Sequence, residues 1–388
     1  MTGPDFARLQ ALVPQSPGWS VDWGAIWPLW PGLAALDACP QNPVHHGEGD
    51  VGIHTRMVVE ALVAEPRWRA LPPERRSALF WAAVLHDIGK PATTRQEDGR
   101  LTARGHSRIG ALMARRLLWE AGAPFAWRER LCGIVAAHQL PFWLIEREAP
   151  GRLAVRTSWT AHARDLCLHA LADARGRIAD DVPALIDNIA LAEATFEEAG
   201  AADTPYPFAN AESRVAYFER EDRDAAYAAH RAPRLWVTVM TGLPGAGKDS
   251  WLAAHAPDLP VVSLDAIRAE IGAAGTGDQG RVIQAAREAA RVHLRAGRAF
   301  AWNATNVTRM MRAKICDLAR DYGAALHIVY LEPLPGRLFA QNRGRGAAVP
   351  QAAVARLADK LEPPAAWEAH RLTLVVDGTL TAPPFGPI

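Results

Sequence analysis

The sequence predicts two kinds of domain: an all-α domain, followed by an α/β domain built on a parallel sheet. At about 150 residues per domain, a chain of 388 residues suggests two or three domains. Apolar residues recur at helical spacing from Gly52 to Gly200, whereas from Leu235 onward short apolar runs alternate with helical stretches. We therefore expect a helical domain over residues 1–200, a linker over 201–233 and an α/β domain over 234–388.

Composition and charge exclude several classes of protein. With 43 basic and 42 acidic residues the formal net charge is +1, which excludes a globally basic nucleic-acid binder but leaves room for a local basic groove. The four cysteines form no CxxC pair, which excludes a disulfide framework and a cysteine zinc site. The N-terminus lacks the apolar core of a signal peptide, and the most apolar stretch, residues 78–88, is too short to span a bilayer. We expect a soluble, cytoplasmic protein with no membrane partner.

The first domain is predicted to be helical, and its candidate metal-binding residues lie near helix ends. Residues 58–63 show the spacing of a helix face, and no run between 52 and 200 alternates with the period of two that a strand needs. Gly89 and Pro91 predict the end of a helix directly after His86-Asp87. Adjacent helical residues point about 100° apart, so both side chains can reach one metal only near such an end.

A set of histidines and aspartates lies on successive predicted helices. Imidazole and carboxylate groups are the donors that Mn, Fe, Co, Ni or Zn accept. A single histidine of this kind is more often a packed core residue, so the prediction depends on the whole set. Two metal ions a few ångströms apart could activate a water and hold a phosphate oxygen. We expect one site from His54, His86, Asp87 and Asp173, and a second from His106 and His138 with Asp87 as the bridge.

Motifs around these residues resemble the HD-domain phosphohydrolases. They are the string His86-Asp87-Ile88-Gly89-Lys90-Pro91 and the flanking segments Gly52-Ile53-His54-Thr55, Gly105-His106-Ser107, Ala137-His138 and Ala172-Asp173-Ala174-Arg175-Gly176-Arg177. The resemblance covers most of residues 45–180 and implies an all-helical, metal-dependent phosphatase or phosphodiesterase. It also implies that Lys90 and Arg177 contact phosphate, since such a site needs positive charge beyond the metals. Four histidines outside the pattern are interpreted as surface or packing residues: His45, His46, His162 and His169.

The sequence pattern of the second domain is typical of a parallel sheet with helical connections. Before it, a turn-rich stretch at 203–207 and a charged run at 219–223 favour a linker. Alternation of strands with helices then predicts a parallel sheet covered on both faces. The strand candidates are residues 236–240, 261–264, 300–302, 326–331 and 372–376, with helices such as 279–296 and 310–322 between them.

A glycine-rich loop follows the first of these strands and opens a helix. The loop is Gly242-Leu243-Pro244-Gly245-Ala246-Gly247-Lys248, in the context that a phosphate-binding P-loop needs. Its glycines would let backbone N–H groups approach the phosphates of ATP or another NTP. The start of the following helix favours the anion, and Lys248 would reach the transferred end. We predict a nucleotide site that includes Gly242, Gly245, Gly247, Lys248, Asp249 and Ser250.

The residue after the P-loop lysine departs from the usual pattern. A Ser or Thr that ligates Mg²⁺ is expected there, but Asp249 occupies the place and Ser250 follows. One helical step turns a side chain by about 100°, so Ser250 is not a simple substitute. The third strand ends in Trp302-Asn303, where a metal-binding carboxylate would be expected. We predict that Asp249 ligates Mg²⁺, either directly or through water.

Asp265 and Arg268 follow the second strand, at the sheet edge where α/β proteins build their sites. The carboxylate could accept the proton of an attacking hydroxyl, and the arginine could hold a phosphate of the acceptor. This Asp-x-x-Arg resembles the polynucleotide 5′-hydroxyl kinases of the phage type; the alternative is a helix N-cap aspartate with a surface arginine. Arg343 and Arg345 are predicted to lie on a lid over the triphosphate. Arg312 and Arg337 are interpreted as surface charges.

The two halves together resemble the bacterial HD-Pnk family over almost the whole chain, including Phe208-Ala209-Asn210 and Glu362-Pro363-Pro364. The resemblance implies an enzyme that heals broken RNA or DNA ends. Its kinase would phosphorylate a 5′-hydroxyl end with an NTP and Mg²⁺. Its HD half would remove a 2′,3′-cyclic, 2′- or 3′-phosphate with two divalent ions such as Mn²⁺, Ni²⁺, Co²⁺, Zn²⁺ or Fe²⁺. The healed ends would then suit an RNA ligase.

Two other interpretations stay open at the level of sequence. The HD half could hydrolyse a nucleotide while the kinase acts on a small molecule, since Asp265 and Arg268 would serve that acceptor as well. A non-catalytic nucleotide sensor is the other alternative, although the full ligand set with Lys90 and Arg177 favours turnover. Dependence of ATP consumption on an added 5′-hydroxyl oligonucleotide would separate these interpretations.

Overall fold

The computed structural model describes residues 3–230, 235–272, 278–344, 346 and 348–385. They form two compact units, one that runs to Pro207 and one that runs from Phe208 to Pro383. Each unit has its own hydrophobic core. No helix in the described ranges is long and apolar enough to cross a membrane.

Helices build the first unit, as predicted. Its core is formed where the apolar faces of these helices meet. In chain order they are α1 (Phe6–Ala11), α2 (Trp23–Ile26), α3 (Pro31–Ala34), α4 (Val51–Ala64), α5 (Pro66–Arg69), α6 (Pro73–Leu85), α7 (Lys90–Thr93), α8 (His106–Glu120), α9 (Phe125–Ala137), α10 (Leu140–Trp143), α11 (Pro150–Ser158), α12 (Ala163–Arg175) and α13 (Val182–Glu198), with short 3₁₀ turns at Trp27–Leu29, Ala35–Ala38 and Leu144–Glu146.

A small hairpin corrects the prediction that residues 52–200 contain no strand. Strands β1 (Arg95–Glu97) and β2 (Arg100–Thr102) pair antiparallel through a turn at Asp98-Gly99. Both turn residues have positive φ angles, 50° and 75°, as a tight two-residue hairpin turn requires. Strands of three residues are too short to show an apolar alternation, which is why the sequence pattern missed them.

Gly89 explains how the chain turns from α6 toward α8. A Cβ atom on Gly89 would lie 2.3 Å from the carbonyl oxygen of His106 and 2.6 Å from the backbone nitrogen of Gly110. Any larger residue would therefore push α8 away from the end of α6. The glycine brings the His86-Asp87 pair and the first residue of α8 close together.

The second unit is built on a mostly parallel sheet, as predicted. In space the strands are ordered β4-β5-β3-β6-β7-β8, and every pairing is parallel except that of β7 with β8. The last strand, β8, forms an antiparallel edge that the sequence did not predict. The strands are β3 (Trp236–Thr241), β4 (Val261–Ser263), β5 (Phe300–Asn303), β6 (Ala325–Glu332), β7 (Arg371–Val376) and β8 (Thr379–Thr381).

Helices follow the strands of this sheet. Helix α17 packs against β4 and β5, and α18 packs against β3 and β6. The helices are α14 (Ala211–Glu219), α15 (Lys248–His255), α16 (Leu264–Glu270), α17 (Gln279–Arg295), α18 (Arg309–Asp321), α19 (Pro335–Arg343) and α20 (Gln351–Ala358), with a 3₁₀ turn at Ala366–Glu368.

Part of the segment predicted as a linker is a packed element of the second unit. Within residues 201–233, helix α14 uses Arg214 to donate a hydrogen bond to the carbonyl oxygen of Ala369 at 3.0 Å. Its Glu212 carboxylate lies 2.8 Å from Nε2 of His370, and the ring of Phe218 stacks on that of Trp367. The charged residues on its surface favoured a linker in the sequence analysis. The helix nevertheless packs against the segment that precedes β7 in the chain.

Arg312 is not the surface charge that the sequence suggested. Its side chain is fully buried, and its guanidinium donates two hydrogen bonds to the carboxylate of Glu368, at 2.7 and 2.8 Å. A third N–H group reaches the carbonyl oxygens of Glu362 at 2.7 Å and Asn306 at 3.2 Å. The residue therefore ties α18 to the segment after β5 and to the turn before β7.

Replacing Arg312 with Met is expected to destabilise the second unit by about 3–5 kcal/mol, because Glu368 would remain buried without its partner. Calorimetric unfolding of the full chain measures the change. The double variant Arg312→Met/Glu368→Leu should recover most of the loss, since it removes the isolated charge as well. A single variant as stable as the wild type would show that the pair contributes nothing.

Candidate functional site

Five helical segments bring the six predicted metal ligands of the first unit together. His54 lies in the first turns of α4, His106 begins α8 and Asp173 lies near the end of α12. His86 and His138 are the residues directly after α6 and α9. All six side chains are buried: His54, His86, Asp87, His106, His138 and Asp173.

Asp87 lies at the centre of the cluster, and its two carboxylate oxygens face different histidines. Oδ2 is 3.1 Å from Nε2 of His86 and 3.9 Å from Nε2 of His54. Oδ1 is 3.3 Å from Nε2 of His106 and 3.8 Å from Nε2 of His138. Asp173 completes the first group, with Oδ1 3.1 Å from Nε2 of His54. This is the division into two groups, bridged by Asp87, that the sequence analysis proposed.

Backbone carbonyls orient three of the four imidazoles. Nδ1 of His86, His106 and His138 each lies 2.8 Å from the carbonyl oxygen three residues earlier in the chain. A carbonyl can only accept, so Nδ1 carries a proton in each of the three imidazoles. In the neutral form this leaves the lone pair on Nε2, and the Nε2 atoms of His106 and His138 lie 3.2 Å apart. Helix ends explain the geometry at His86 and His138, where the last carbonyls of the helix have no intrahelical N–H partner.

Unpartnered buried atoms show that this cluster suits metal ions. Nε2 of His54, Nε2 of His86 and Oδ1 of Asp87 have no hydrogen-bond partner although all three atoms are buried. Leaving such atoms unsatisfied costs free energy, which a bound cation would offset. His54, His86 and Asp87 offer donor atoms within 4.8 Å of one another, and so do Asp87, His106 and His138. We therefore describe these groups as a candidate dinuclear metal site.

The electrostatics of most ligands in the cluster favour the protonation states that bind metal. His54 is the exception, because Asp173 and Glu48 outweigh the effect of burial and raise its pKa. Burial lowers the pKa of His138 well below its ordinary value, and burial likewise lowers the pKa of His106. For the carboxylates burial acts in the opposite direction but is outweighed. His86 and Lys90 hold the pKa of Asp87 well below its usual range, and Arg177 and His54 do the same for Asp173. Neutral imidazoles beside anionic carboxylates are the forms that ligate cations.

Lys90 and Arg177 lie where the sequence analysis expected cations. Nζ of Lys90 is 2.7 Å from Oδ2 of Asp87 and donates a hydrogen bond to Oε1 of Gln41, also at 2.7 Å. Nε and Nη2 of Arg177 donate to Oδ1 of Asp173 at 3.1 and 2.9 Å, and the guanidinium lies over the ring of Phe142. Each of the two aspartates predicted as metal ligands thus has a basic side chain beside it.

Four histidines that were set aside have different environments. His45 contacts Asp181 at the surface, and His162 caps the start of α12. His169 packs against the rings of His86 and His138, and burial lowers its pKa to about 3. Its position one helical turn before Asp173 was the signal that could have placed it beside the cluster.

Sequence reasoning missed Glu48, which lies beside the metal cluster. Its carboxylate contacts both His46, one of the histidines set aside, and the predicted ligand His54. Glu48 follows no helical periodicity and belongs to a loop, so no local pattern pointed to it.

In the second unit, the glycine-rich loop joins β3 to α15 in the geometry of a P-loop. Its three glycines have positive φ angles: Gly242 150°, Gly245 84° and Gly247 94°. A Cβ atom on Gly242 would lie 2.6 Å from the carbonyl oxygen of Leu331, so the loop passes too close to β6 for a larger residue. Lys248 begins α15, and its ammonium lies across the loop, where it donates to the carbonyl oxygens of Gly242 and Leu243.

Asp249 contacts the end of the neighbouring strand. Nδ2 of Asn303, the last residue of β5, donates a hydrogen bond to Oδ1 of Asp249 at 2.5 Å. The register of the parallel strands aligns Asn303 with Met240 on β3, just before the loop. Two buried oxygens at this sheet edge, Oδ1 of Asn303 and Oγ1 of Thr241, have no hydrogen-bond partner. Ser250 is exposed on the next position of α15.

Asp265 and Arg268 pair with each other in α16, beyond the end of β4. Nη1 of Arg268 donates to Oδ1 of Asp265 at 2.5 Å, and Nη2 donates to Oε1 of Gln279 at 3.2 Å. The N-cap of α16 is Ser263, whose hydroxyl accepts from the N–H of Ala266, so Asp265 does not have the capping role that was its alternative. Its side chain is 76% exposed, which leaves the carboxylate accessible to an acceptor.

The arginines predicted for a lid follow β6. Arg343 ends α19, and Arg345 lies outside the described residues. The residue before Arg343 contacts the P-loop, since a Cβ atom on Gly245 would lie 3.0 Å from the backbone nitrogen of Asn342. Arg337 is an exposed side chain that contacts Asp377, as expected of a surface charge.

Each of the two units contains a region similar to a known protein family. Residues 51–171 match the HD domain family, and residues 237–364 match an AAA domain family. Over 106 residues the chain is 36% identical to a multifunctional CCA protein of Halorhodospira halophila, a match that covers 27% of this chain and 23% of that protein. Over 159 residues it is 28% identical to the multifunctional CCA protein of Teredinibacter turnerae, which covers 40% of this chain and 36% of the relative. The chain thus spans well under half the length of these curated relatives.

Among solved structures, a sugar kinase from a Janibacter species matches with 19% identity and a TM-score of 0.28, over 39% of this chain and 88% of that one. The family matches fall on the two units that carry the metal cluster and the glycine-rich loop. The chain therefore combines a region that matches the HD domain family with a P-loop region that matches an AAA domain family.

Proposed function

We propose that this protein heals nucleic-acid ends in the manner of the HD-Pnk family. The observation that carries the proposal is the presence in one chain of a candidate dinuclear site, bridged by Asp87, and a P-loop that begins at Gly242. RNA cleavage through the 2′-hydroxyl leaves a 2′,3′-cyclic phosphate on one fragment and a 5′-hydroxyl on the other. A phosphohydrolase and a 5′-kinase are the two activities that such a break requires.

In the HD domain, the chain's own residues would hold the phosphate and orient the ligand groups. Lys90 and Arg177 would contact phosphate oxygens of a substrate bound at the metal site. Each lies next to that site, since each contacts one of its proposed carboxylate ligands. The six ligands would hold two divalent ions such as Mn²⁺, Ni²⁺, Co²⁺, Zn²⁺ or Fe²⁺, which supply Lewis-acid activation of water when bound. Asp87 would contribute one carboxylate oxygen to each of the two ligand groups.

In the kinase-like domain, the backbone N–H groups of the P-loop and Lys248 would bind the NTP phosphates. Asp265 would accept the proton of the attacking 5′-hydroxyl, and Arg268 would hold the acceptor phosphate. Arg343 and Arg345 would neutralise charge that develops on the transferred phosphoryl group. Asp249 and Ser250 lie on the first turn of α15, where Mg²⁺ would be held.

Replacing Asp249 with Ala is expected to raise the Mg²⁺ concentration for half-maximal kinase activity on the order of 10–100-fold. Its carboxylate reaches the strand end where a metal-binding acid is absent. Asn303→Ala should shift the Mg²⁺ requirement in the same direction but less. Initial rates over a Mg²⁺ series measure both, with the exposed Asp258→Ala as the matched control. An unchanged Mg²⁺ dependence in the Asp249 variant contradicts a metal role for this residue.

A hairpin between Lys90 and His106 in the chain carries exposed arginines that would suit a polynucleotide substrate. Strand β1 starts five residues after Lys90, and β2 ends four residues before His106. Arg95 and Arg100 are exposed on the hairpin next to Glu97 and Asp98, and Arg104, which follows it, contacts Glu97 at 3.6 Å. Arg95 and Arg100 would contact the phosphodiester backbone. We expect Arg100→Glu to lower kcat/KM on a 2′,3′-cyclic-phosphate oligonucleotide about tenfold, and less at high salt, without change on 2′,3′-cyclic mononucleotide. Equal loss on both substrates would contradict a backbone contact.

One RNA oligonucleotide with a 5′-hydroxyl and a 2′,3′-cyclic phosphate tests both activities. It is incubated with Mn²⁺, with or without ATP and Mg²⁺, and its ends are followed by gel and by mass. Loss of the terminal phosphate without ATP, and 5′ phosphorylation only with ATP, are the expected results. No change at either end, from protein that still hydrolyses free nucleotides, would overturn the proposal in favour of a nucleotide phosphohydrolase fused to a small-molecule kinase. Nucleotide binding with no turnover of any kind would instead indicate a sensor.

A further inference from the structure

A buried carboxylate outside the ligand set contacts the first metal group. Glu48 lies in the loop before α4, and its side chain has no exposed surface. Oε1 is 2.8 Å from Nδ1 of His46 and 3.0 Å from Nδ1 of His54. Oε2 accepts a hydrogen bond from the backbone N–H of Ile178 at 2.9 Å. The carboxylate is thus held on three sides.

Each ring nitrogen of His54 lies close to oxygen atoms of other residues. Nδ1 faces the carboxylate of Glu48 and, at 3.2 Å, the carbonyl oxygen of Gly176, which are two acceptors. Nε2 faces Asp173 at 3.1 Å and Asp87 at 3.9 Å, and it has no hydrogen-bond partner. Both nitrogens thus face acceptors. With a metal ion on Nε2, the proton of a neutral imidazole lies on Nδ1, where Glu48 and the carbonyl of Gly176 accept it.

His54 needs a side-chain partner because of its place in the helix. The other three ligating histidines donate to the carbonyl three residues earlier. For His54 that carbonyl belongs to Val51, inside α4, where it already accepts a hydrogen bond from the hydroxyl of Thr55 at 2.8 Å. Glu48 supplies the missing acceptor from outside the helix, and as an anion it makes the imidazole a stronger donor to a metal.

We propose that Glu48 is a positioning residue that fixes His54 in the Nδ1–H tautomer and strengthens its bond to a metal ion. This inference rests on the metal site of the proposed function. His46 and the N–H of Ile178 keep the carboxylate in place, since each binds one of its oxygens. Ile178 directly follows Arg177, so the same contact also anchors the segment that carries a proposed phosphate ligand.

A different role for the same residues can be tested against this one. His46, Glu48 and His54 offer donor atoms within 4.8 Å of one another, as a third cation site would. His54 could serve that site as well as the first group only by losing both ring protons, whereas the tautomer described here needs no such loss. The two roles predict different numbers of bound ions.

Metal titration of the full chain separates these roles. Metal-free wild-type protein, titrated with Co²⁺ and followed by visible absorption and elemental analysis, should bind two ions. Glu48→Gln should still bind two, one of them about 10–100-fold more weakly and with an altered absorption spectrum. The surface variant Asp181→Asn, which loses only a contact to His45, should match the wild type. Thermal unfolding of the same preparations, followed by circular dichroism of the helices, controls for folding of the first unit.

Each contrary outcome has a distinct meaning. Wild-type affinity in Glu48→Gln, with two ions bound, overturns the positioning role and leaves the proposed function intact. Three ions in the wild type and two in the variant make Glu48 a ligand instead. A wild-type chain that binds no Co²⁺ overturns the metal site itself. If the variant does not fold, ¹⁵N NMR of the Zn²⁺-bound wild type decides the matter, because a proton on Nε2 of His54 contradicts the proposal.

Discussion

Asp87→Asn is expected to remove the phosphohydrolase activity, on the order of 10³-fold or more in kcat, and to leave the kinase unchanged. The two oxygens of this carboxylate face separate histidine groups. An asparagine offers one oxygen and one N–H₂ group, and it has no charge. Whichever way its amide is turned, one histidine group would face an N–H₂ donor and both would lose the shared anion.

The experiment compares both activities in one preparation. Release of phosphate from a 2′,3′-cyclic or 3′-phosphate end gives the hydrolase rate, and transfer of labelled phosphate to a 5′-hydroxyl end gives the kinase rate. Asp181→Asn is the matched control, because it changes an acid of the same domain that contacts only His45 among the described contacts. A variant that retains a tenth or more of the hydrolase activity with undiminished metal content would contradict the bridging role of Asp87.

Lys248→Met is expected to reduce the kinase activity on the order of 10³-fold while the hydrolase stays unchanged. The lysine begins α15, and its ammonium lies across the phosphate-binding loop, within 2.9 Å of the carbonyl oxygen of Gly242. Methionine has a similar length and helix preference, so the variant removes the charge with little change in packing. The loss should appear mainly in kcat, because the lysine is expected to interact more strongly with the transferred phosphoryl group in the transition state than in bound ATP.

Lys314→Met provides the control for this variant. It removes an exposed lysine from α18 and should leave both activities at wild-type rates. Kinase assays over an ATP series separate an effect on kcat from one on nucleotide binding. Wild-type kcat in Lys248→Met, with ATP still required, would show that the phosphoryl transfer takes place elsewhere in the chain.

Much of this description could be predicted from residue types and their spacing. The fold classes of the two units follow from apolar periods that any segment displays locally, and the structure and the family matches confirm them. A helix end was predictable at Gly89, which is why His86 and Asp87 could be placed beside a site. The P-loop was predictable because its glycines are needed for a backbone conformation that other residues avoid.

Other features depend on contacts between segments that lie far apart in the chain. Arg312 and Glu368 are 56 residues apart, and nothing near either one signals a buried ion pair. Which oxygen of Asp87 faces which histidine, and the presence of Glu48 beside His54, are likewise set by how loops and helices pack.

Local sequence specifies periodicity, turns and the chemical types available, because these act over a few residues. The partners of a buried polar group are specified by the packing of the whole domain, since a buried donor or acceptor that stays unpaired costs free energy and its partner can lie far away in the chain. For this chain, the sequence therefore predicted the residue types of a candidate metal cluster and of a P-loop. Their geometry and supporting residues came from the fold.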